Sequence, residues 1–128
     1  MKLILILSMI VMCLIAVPSS ATPQHTCVTP SVTVSPDPVA VGSAATINQE
    51  LANSCNGNGK ITFWTNVSSP CAGNITLEFQ RNVSVPGNGS LTFSDQFVPT
   101  CADTYTVTTT VQTGAQTFTT ATTTFVAQ

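Results

Sequence analysis

From Ser31 onward the chain alternates. Ser31-Val-Thr-Val-Ser35 sets Val32 and Val34 on one side, and Ala45, Ile47, Gln49 and Leu51 follow with a polar residue between each pair. Lys60 to Val67 places Ile61, Phe63, Thr65 and Val67 on one face and Thr62, Trp64 and Asn66 on the other. Asn74 to Gln80 opposes Ile75, Leu77 and Phe79 to Thr76, Glu78 and Gln80, with Arg81 to Val85 as an extension or a connection. Ser90 to Phe97 carries Leu91, Phe93 and Phe97 in phase, Thr104 to Val111 carries Tyr105, Val107, Thr109 and Val111, and Gln116 to Val126 is the last such stretch. A period of two marks extended backbone with one face toward a core, because successive side chains of a strand point to opposite sides. Turn chemistry separates the stretches: Pro36-Asp-Pro38, Gly42, Asn53 to Gly59, Ser68 to Gly73, Pro86-Gly-Asn-Gly89, Pro99 to Asp103 and Thr113-Gly-Ala115. Two positions break the alternation. Asp95 shares its phase with Leu91, Phe93 and Phe97, so a bulge should turn it outward or it should bond the amides of the next loop. Between Phe118 and Phe125 the apolar positions change phase, which predicts a bulge in the last strand.

About seven short strands, each half apolar and half Thr, Ser or Asn, predict an all-β fold: an antiparallel two-sheet sandwich that buries one face of each sheet and wets the other. Composition agrees, since 22 threonines supply β-branched residues while Glu, Lys, Leu and Ala rarely combine at a helical period.

The first residues are different. Met1-Lys2 is followed by an apolar run from Leu3 to Val17, shorter than the roughly 20 residues a bilayer-spanning helix needs. Pro18 ends the run, and Ser19, Ser20 and Ala21 supply small residues. This is the layout of a secretory signal peptide with cleavage after Ala21; a retained membrane anchor is the alternative. The expected organisation is a signal peptide at 1–21, a leader at 22–29 and one β-sandwich domain at 30–128, secreted or on the extracellular surface, with no membrane segment after cleavage.

Cleavage removes Cys13 and leaves Cys27, Cys55, Cys71 and Cys101, an even set that in a small exported chain reads as two disulfides. No C-x-x-C pair is present and His25 is the only histidine, so no metal site is expected. Four Asn-x-Ser/Thr sequons, at Asn66, Asn74, Asn82 and Asn88, are candidate glycosylation sites. Beyond the signal segment Lys60 and Arg81 face five carboxylates, Asp37, Glu50, Glu78, Asp95 and Asp103, which rules out a cationic track for nucleic acid.

Gly59-Lys-Ile-Thr-Phe63, Gly89-Ser-Leu-Thr-Phe93 and Ala102-Asp-Thr-Tyr-Thr-Val107 resemble the third, fifth and sixth strands of prokaryotic immunoglobulin-like (Ig-like) repeat domains. The opening Val-Thr-Val-Ser-Pro with Val41-Gly42 and Ala45-Thr-Ile47 resembles their first two strands, so the likeness covers about residues 30 to 126, here as a single domain after a signal peptide. Asp103-x-Tyr105 resembles the tyrosine corner of such folds. The chain departs from antibody domains at Val107, where they carry a cysteine, so no cross-sheet disulfide of that type is implied. The resemblance implies the pairing Cys27–Cys55 and Cys71–Cys101, one staple at each end of the sandwich. Related domains stand in adhesins and surface proteins, which implies a structural or adhesive role.

Catalytic chemistry has little to work with. There is no nucleophile elbow, no lysine near a serine, and His25 sits in the leader. No enzyme activity, catalytic residue or cofactor is expected. Trp64 is the most informative side chain. If Ile61, Phe63 and Val67 face the core, Trp64 faces outward as an anchor for a sugar or a neighbouring subunit. With the phase reversed, it is the buried tryptophan of the third Ig strand. The expected function is a non-enzymatic structural or adhesive surface protein, with a protein, a glycan or a second copy of itself as partner. The alternative is a soluble secreted module that recognises a glycan or protein through polar loops such as Asn53 to Gly59. N-terminal sequencing of exported protein is expected to begin at Thr22; exported material beginning at Met1 would refute the leader assignment.

Overall fold

The computed structural model describes residues 27–115 and 117–128, so the signal segment, His25 and Gln116 lie outside the described residues. Seven strands follow in order: β1 (Val28–Ser35), β2 (Ala45–Asn53), β3 (Gly59–Ser69), β4 (Gly73–Val85), β5 (Ser90–Phe97), β6 (Asp103–Thr113) and β7 (Thr117–Ala127). They form two antiparallel sheets, β1-β2-β5 and β4-β3-β6-β7, the arrangement of an Ig-like sandwich. β1 starts upstream of the expected Ser31: Val28 pairs with Asn53 and is buried, and Pro30 is tolerated because β1 is an edge strand with β2 on one side only. After β1 the Pro36-Asp-Pro38 segment leads the chain to the opposite sheet. The Val39 amide donates to the Val126 carbonyl (2.9 Å), the Gln128 amide donates to the Val39 carbonyl (3.0 Å), and Asp37 Oδ1 accepts from the Val126 amide (3.0 Å).

The core has two apolar halves. One gathers Val39, Ile47, Val67, Phe97, Tyr105, Val107 and Phe125; the other gathers Val28, Leu51, Ile61, Phe63, Val85 and Val111. Tyr105 stacks on Phe125 with centroids 5.2 Å apart in the first, and Phe63 meets Phe93 at 4.8 Å in the second. Between the halves lies a polar layer. Gln49 on β2, Thr65 on β3 and Thr109 on β6 each sit midway between core residues of their strand and are fully buried. The Thr65 and Thr109 hydroxyls bond each other at 2.8 Å, and Gln49 Nε2 donates to Asp95 Oδ2 at 2.8 Å. This corrects the expectation for Asp95. No bulge turns it outward and no loop amide holds it; it keeps the inward phase, half-buried, because a buried amide side chain on the neighbouring strand supplies its donor.

Each pole is stapled. Cys27–Cys55 joins the start of β1 to the loop after β2 (Cα–Cα 5.4 Å), and Cys71–Cys101 joins the β3–β4 turn to the β5–β6 loop (Cα–Cα 6.3 Å). With sequence separations of 28 and 30, each crosslink contributes about 3–4 kcal/mol in the chain-entropy account, a large share of the roughly 5–15 kcal/mol typical of a whole domain. At the second pole the Tyr105 hydroxyl donates to the Cys101 carbonyl (2.9 Å), which is the tyrosine corner, and Asp103 Oδ2 accepts from the Cys71 amide (3.1 Å). At the first, the β4–β5 turn packs so closely on the Asn56 carbonyl that any side chain at Gly87 would collide with it.

Two further expectations are corrected. β7 contains no bulge: its register with β6 runs unbroken from Asp103↔Ala127 to Thr113↔Thr117. The apolar phase changes because Phe118, opposite Gln112, faces outward while Phe125, opposite Tyr105, faces the core. The irregularities lie in the β3–β4 pairing instead, between Ile61 and Phe63 and between Thr65 and Asn66. They disrupt the expected alternation of β4, so Leu77 packs against the core while Phe79 pairs with outward-facing Trp64. Replacing Thr65 by Val is expected to cost about 1–3 kcal/mol, because the Thr109 hydroxyl is left buried without its partner. The double variant Thr65→Val/Thr109→Val should recover most of that loss in urea unfolding of the oxidised protein; additive losses would show that the hydroxyl pair is not the relevant contact.

Candidate binding site

β3 is the second strand of its sheet and has a neighbour on each side, so its outward residues lie in the middle of the exposed face. Ile61, Phe63, Thr65 and Val67 are buried, which leaves Trp64 on the outer side with Thr62 and Asn66. Trp64 is half-buried because two phenylalanines flank it. Phe79 on β4 approaches at 6.2 Å between centroids, and Phe118 on β7 at 6.2 Å in an edge-on arrangement of 71°. Phe118 reaches Trp64 diagonally: Trp64 pairs with Thr110, and Phe118 with Gln112 one outward position along β6. The two phenylalanines are themselves 51% and 55% exposed, so the group forms an aromatic row open to water. The Arg81 guanidinium carbon lies 5.1 Å from the centre of the Phe79 ring, within cation–π range.

Around this row the surface is polar and uncharged on one side and cationic on the other. Toward β6 and β7 it is a field of hydroxyls that includes Thr106, Thr108, Thr122 and Thr124, with Thr108 and Thr122 3.3 Å apart. Toward β4 an open groove of ≈ 570 Å³ is bounded by Trp64, Phe79, Arg81, Asn66, Asn74 and Thr62, among others. The two Lys/Arg residues among the described residues, Lys60 and Arg81, both flank hollows on this side of the sheet that share Thr62 and Gln112. The carboxylates are engaged elsewhere. Asp37, Asp95 and Asp103 hold parts of the fold, Glu50 is on the other sheet, and Glu78 pairs with inward-facing Thr65 and accepts from Gln80 Nε2 (2.8 Å).

The candidate sequon residues fall in different settings. Asn66 and Asn74 both line the groove; Asn66 is half-buried and its Oδ1 accepts from the Thr76 hydroxyl (2.9 Å), whereas Asn74 is exposed just after the β3–β4 turn. Asn82 occupies left-handed backbone (φ 54°) beside Lys60 and Thr62, and Asn88 (φ 54°) lies in the β4–β5 turn, where its Nδ2 donates to Asn56 Oδ1 (2.8 Å). The loop from Asn53 to Gly59 spends its polar groups internally. Buried Asn53 donates to the Gly57 and Val85 carbonyls (2.9 and 3.0 Å), Cys55 O accepts from the Asn88 amide (2.8 Å), and Asn58 Oδ1 accepts from the Gly87 amide (3.3 Å). Among the described residues no group of three or more His, Cys, Asp or Glu side chains is placed to hold a metal ion.

Sequence reasoning singled out Trp64 and Asn66 but missed Phe79, Phe118 and Arg81 as its neighbours. Strict alternation puts Phe79 on the same side as Ile75 and Leu77. The phase break at Phe118 was legible and carried the information, but as an outward residue rather than a bulge.

No protein-family model matches this chain, and no curated protein matches it. Solved structures do. The solution structure of a CARDB domain from Pyrococcus furiosus superposes with a TM-score of 0.63 at 15% identity, over 79% of this chain and 94% of that one. The crystal structure of that domain in complex with di-metal ions gives 0.60 at 17% identity, over 79% and 87%. A superoxide reductase from Ignicoccus hospitalis gives 0.55 at 9% identity, over 78% and 80%. The likeness is one of fold. The Ig-like sandwich recurs here beside proteins of unlike chemistry, so function has to be argued from the site.

Removing Phe79 or Phe118 by substitution with Ala is expected to raise the acrylamide quenching of Trp64 fluorescence at a stability cost of about 1–2 kcal/mol, since each ring is about half exposed. Unchanged quenching in both variants would show that neither ring shields the indole.

Proposed function

We propose that this chain is an exported, non-enzymatic Ig-like module with a structural and adhesive role at the cell surface, and that it makes contact through the outer face of the β4-β3-β6-β7 sheet. One observation carries the reading: a row of three aromatic rings, Phe79, Trp64 and Phe118, lies open to water across a sheet face whose other outward residues are mostly polar. Exposed aromatic clusters with a polar surround are characteristic of contact surfaces, because the rings offer large rigid area at low entropic cost. A sandwich pinned at both poles holds that face stiff, which favours binding by a preformed surface.

The bonding pattern supports the non-enzymatic part. Asp37, Asp95 and Asp103 each accept a hydrogen bond from the protein's own amides, which is a structural use of a carboxylate. The alternative of recognition by the Asn53 to Gly59 loop is less well supported, since that loop's amides and carbonyls already bond one another and the adjoining turn. The partner is then a glycan or protein met by the sheet, or a second copy meeting face to face.

Labelled wild-type protein is expected to be retained on the surface of the producing cells at least tenfold better than a Trp64→Ser/Phe79→Ser/Phe118→Ser variant with an unchanged circular dichroism spectrum. A weight-average mass from light scattering that rises with concentration for the wild type alone would identify a second copy as the partner. Equal retention of both proteins would sink the reading.

A further inference from the structure

The groove between Trp64 and β4 has features that narrow the partner, and this step rests on the reading of the sheet face as the contact surface. Its volume of ≈ 570 Å³ lies within the roughly 300–1,000 Å³ of small-molecule sites. An indole on one side and amide and hydroxyl side chains around it is a combination suited to a pyranose ring. The ring's C–H face is apolar and stacks on an aromatic surface, while its hydroxyls need donors and acceptors together. Asn66, with Oδ1 engaged by Thr76, presents Nδ2 as a donor, and Asn74 and Gln112 add further amides.

Charge narrows it further. The chain is acidic overall, yet both cations among the described residues are gathered at this face, and no carboxylate pairs with either among the described residues. Arg81 bounds the groove itself, and its planar fork matches a carboxylate in two-point contact. Lys60 lies farther along, beside the hollow that shares Thr62 and Gln112 with the groove. We propose that this groove binds a saccharide bearing a carboxylate, of the uronic-acid type, with its ring against Trp64 and its carboxylate on Arg81. A glycan of the chain's own, on Asn66 or Asn74, would meet the same chemistry. Arg81, which lies over the Phe79 ring and has no carboxylate partner among the described residues, favours an acidic saccharide supplied from outside, and half-buried Asn66, already held by Thr76, is a poor attachment point.

Trp64 is the only tryptophan, so its fluorescence reports the groove directly. The full exported protein with disulfides intact is titrated with hexasaccharides of galacturonate, of mannuronate and of hyaluronan, and with maltohexaose as the neutral control. A saturable change is expected with at least one acidic hexasaccharide and none with maltohexaose, weakening as salt is raised. Arg81→Gln should weaken it at least tenfold, Arg81→Lys by less, and Lys60→Gln by less than threefold. No saturable response to any of the three acids, an equal response to maltohexaose, or an unaffected Arg81→Gln variant would overturn the proposal. So would mass spectrometry finding a glycan on Asn66 or Asn74 that must be removed, by Asn66→Gln or Asn74→Gln, before any titration responds, since the groove would then serve the chain's own sugar. The two readings separate cleanly. Cell retention that depends on Trp64 without a uronate response removes this ligand and keeps the adhesive face, whereas retention independent of the face removes both.

Discussion

The register of β3 against β6 is the constraint on which the molecule depends. Phe63 opposite Val111, Thr65 opposite Thr109 and Val67 opposite Val107 put three layers of the core in line, and the same register places Trp64 opposite Thr110 on the outside. A slip of one residue would reverse every side chain of β3, burying Lys60, Thr62 and Asn66 and exposing Phe63. The tyrosine corner and the Cys71–Cys101 bridge hold the end of this pair where β6 begins, so the alignment is set from one pole and carried along the strands by burial.

That alignment also produces the polar layer across the middle of the sandwich. Gln49, Thr65 and Thr109 interrupt the apolar sequence of three strands at the same depth, dividing a small core into two halves. Thr65 and Thr109 satisfy each other, and Gln49 satisfies Asp95, while Gln49 Oε1 is left without a protein partner. Buried polar groups contribute little net stability when paired and are costly when not. They select a single register instead, since a shifted strand would face hydroxyls with methyl groups. Each apolar half then lies toward one pole, and a disulfide closes each pole.

Between the stapled poles lie the broad outer faces of the two sheets. The two faces are unlike: the outer side of the three-stranded sheet carries Glu50 with short polar residues, whereas the outer side of the other carries the aromatic row and both cations. Beside the row the outer positions of β6 and β7 are mostly threonines, with Val126 exposed near the end of β7. The irregular β3–β4 pairing belongs to the same arrangement, because each shift re-aims a side chain of an edge strand, and here the effect is to bring Phe79 and Arg81 to the groove.

Local pattern was enough for much of this. Alternation at Ile61-Phe63-Thr65-Val67 and Tyr105-Val107-Val111 specified strands with a buried side, because burial of one face is the dominant gain available to such a segment. The same count set Trp64 opposite in phase to Ile61, Phe63 and Val67 but left open which side was buried, which the structure decides by burying the latter three; the turn residues at Pro86-Gly-Asn-Gly89 marked a connection that the structure places between β4 and β5. What alternation alone does not determine is where a strand loses phase and what lies across from it. Phe79 and Phe118 are far from Trp64 in sequence; irregular pairing on one side and an unbroken register on the other bring both to its flanks. Asp95 looked misplaced until Gln49 lay beside it. Cross-strand neighbours are a property of the paired sheet, so the chain by itself determined which segments extend and which face most of them bury, and only the tertiary pairing decided which rings, amides and cations meet to make a site.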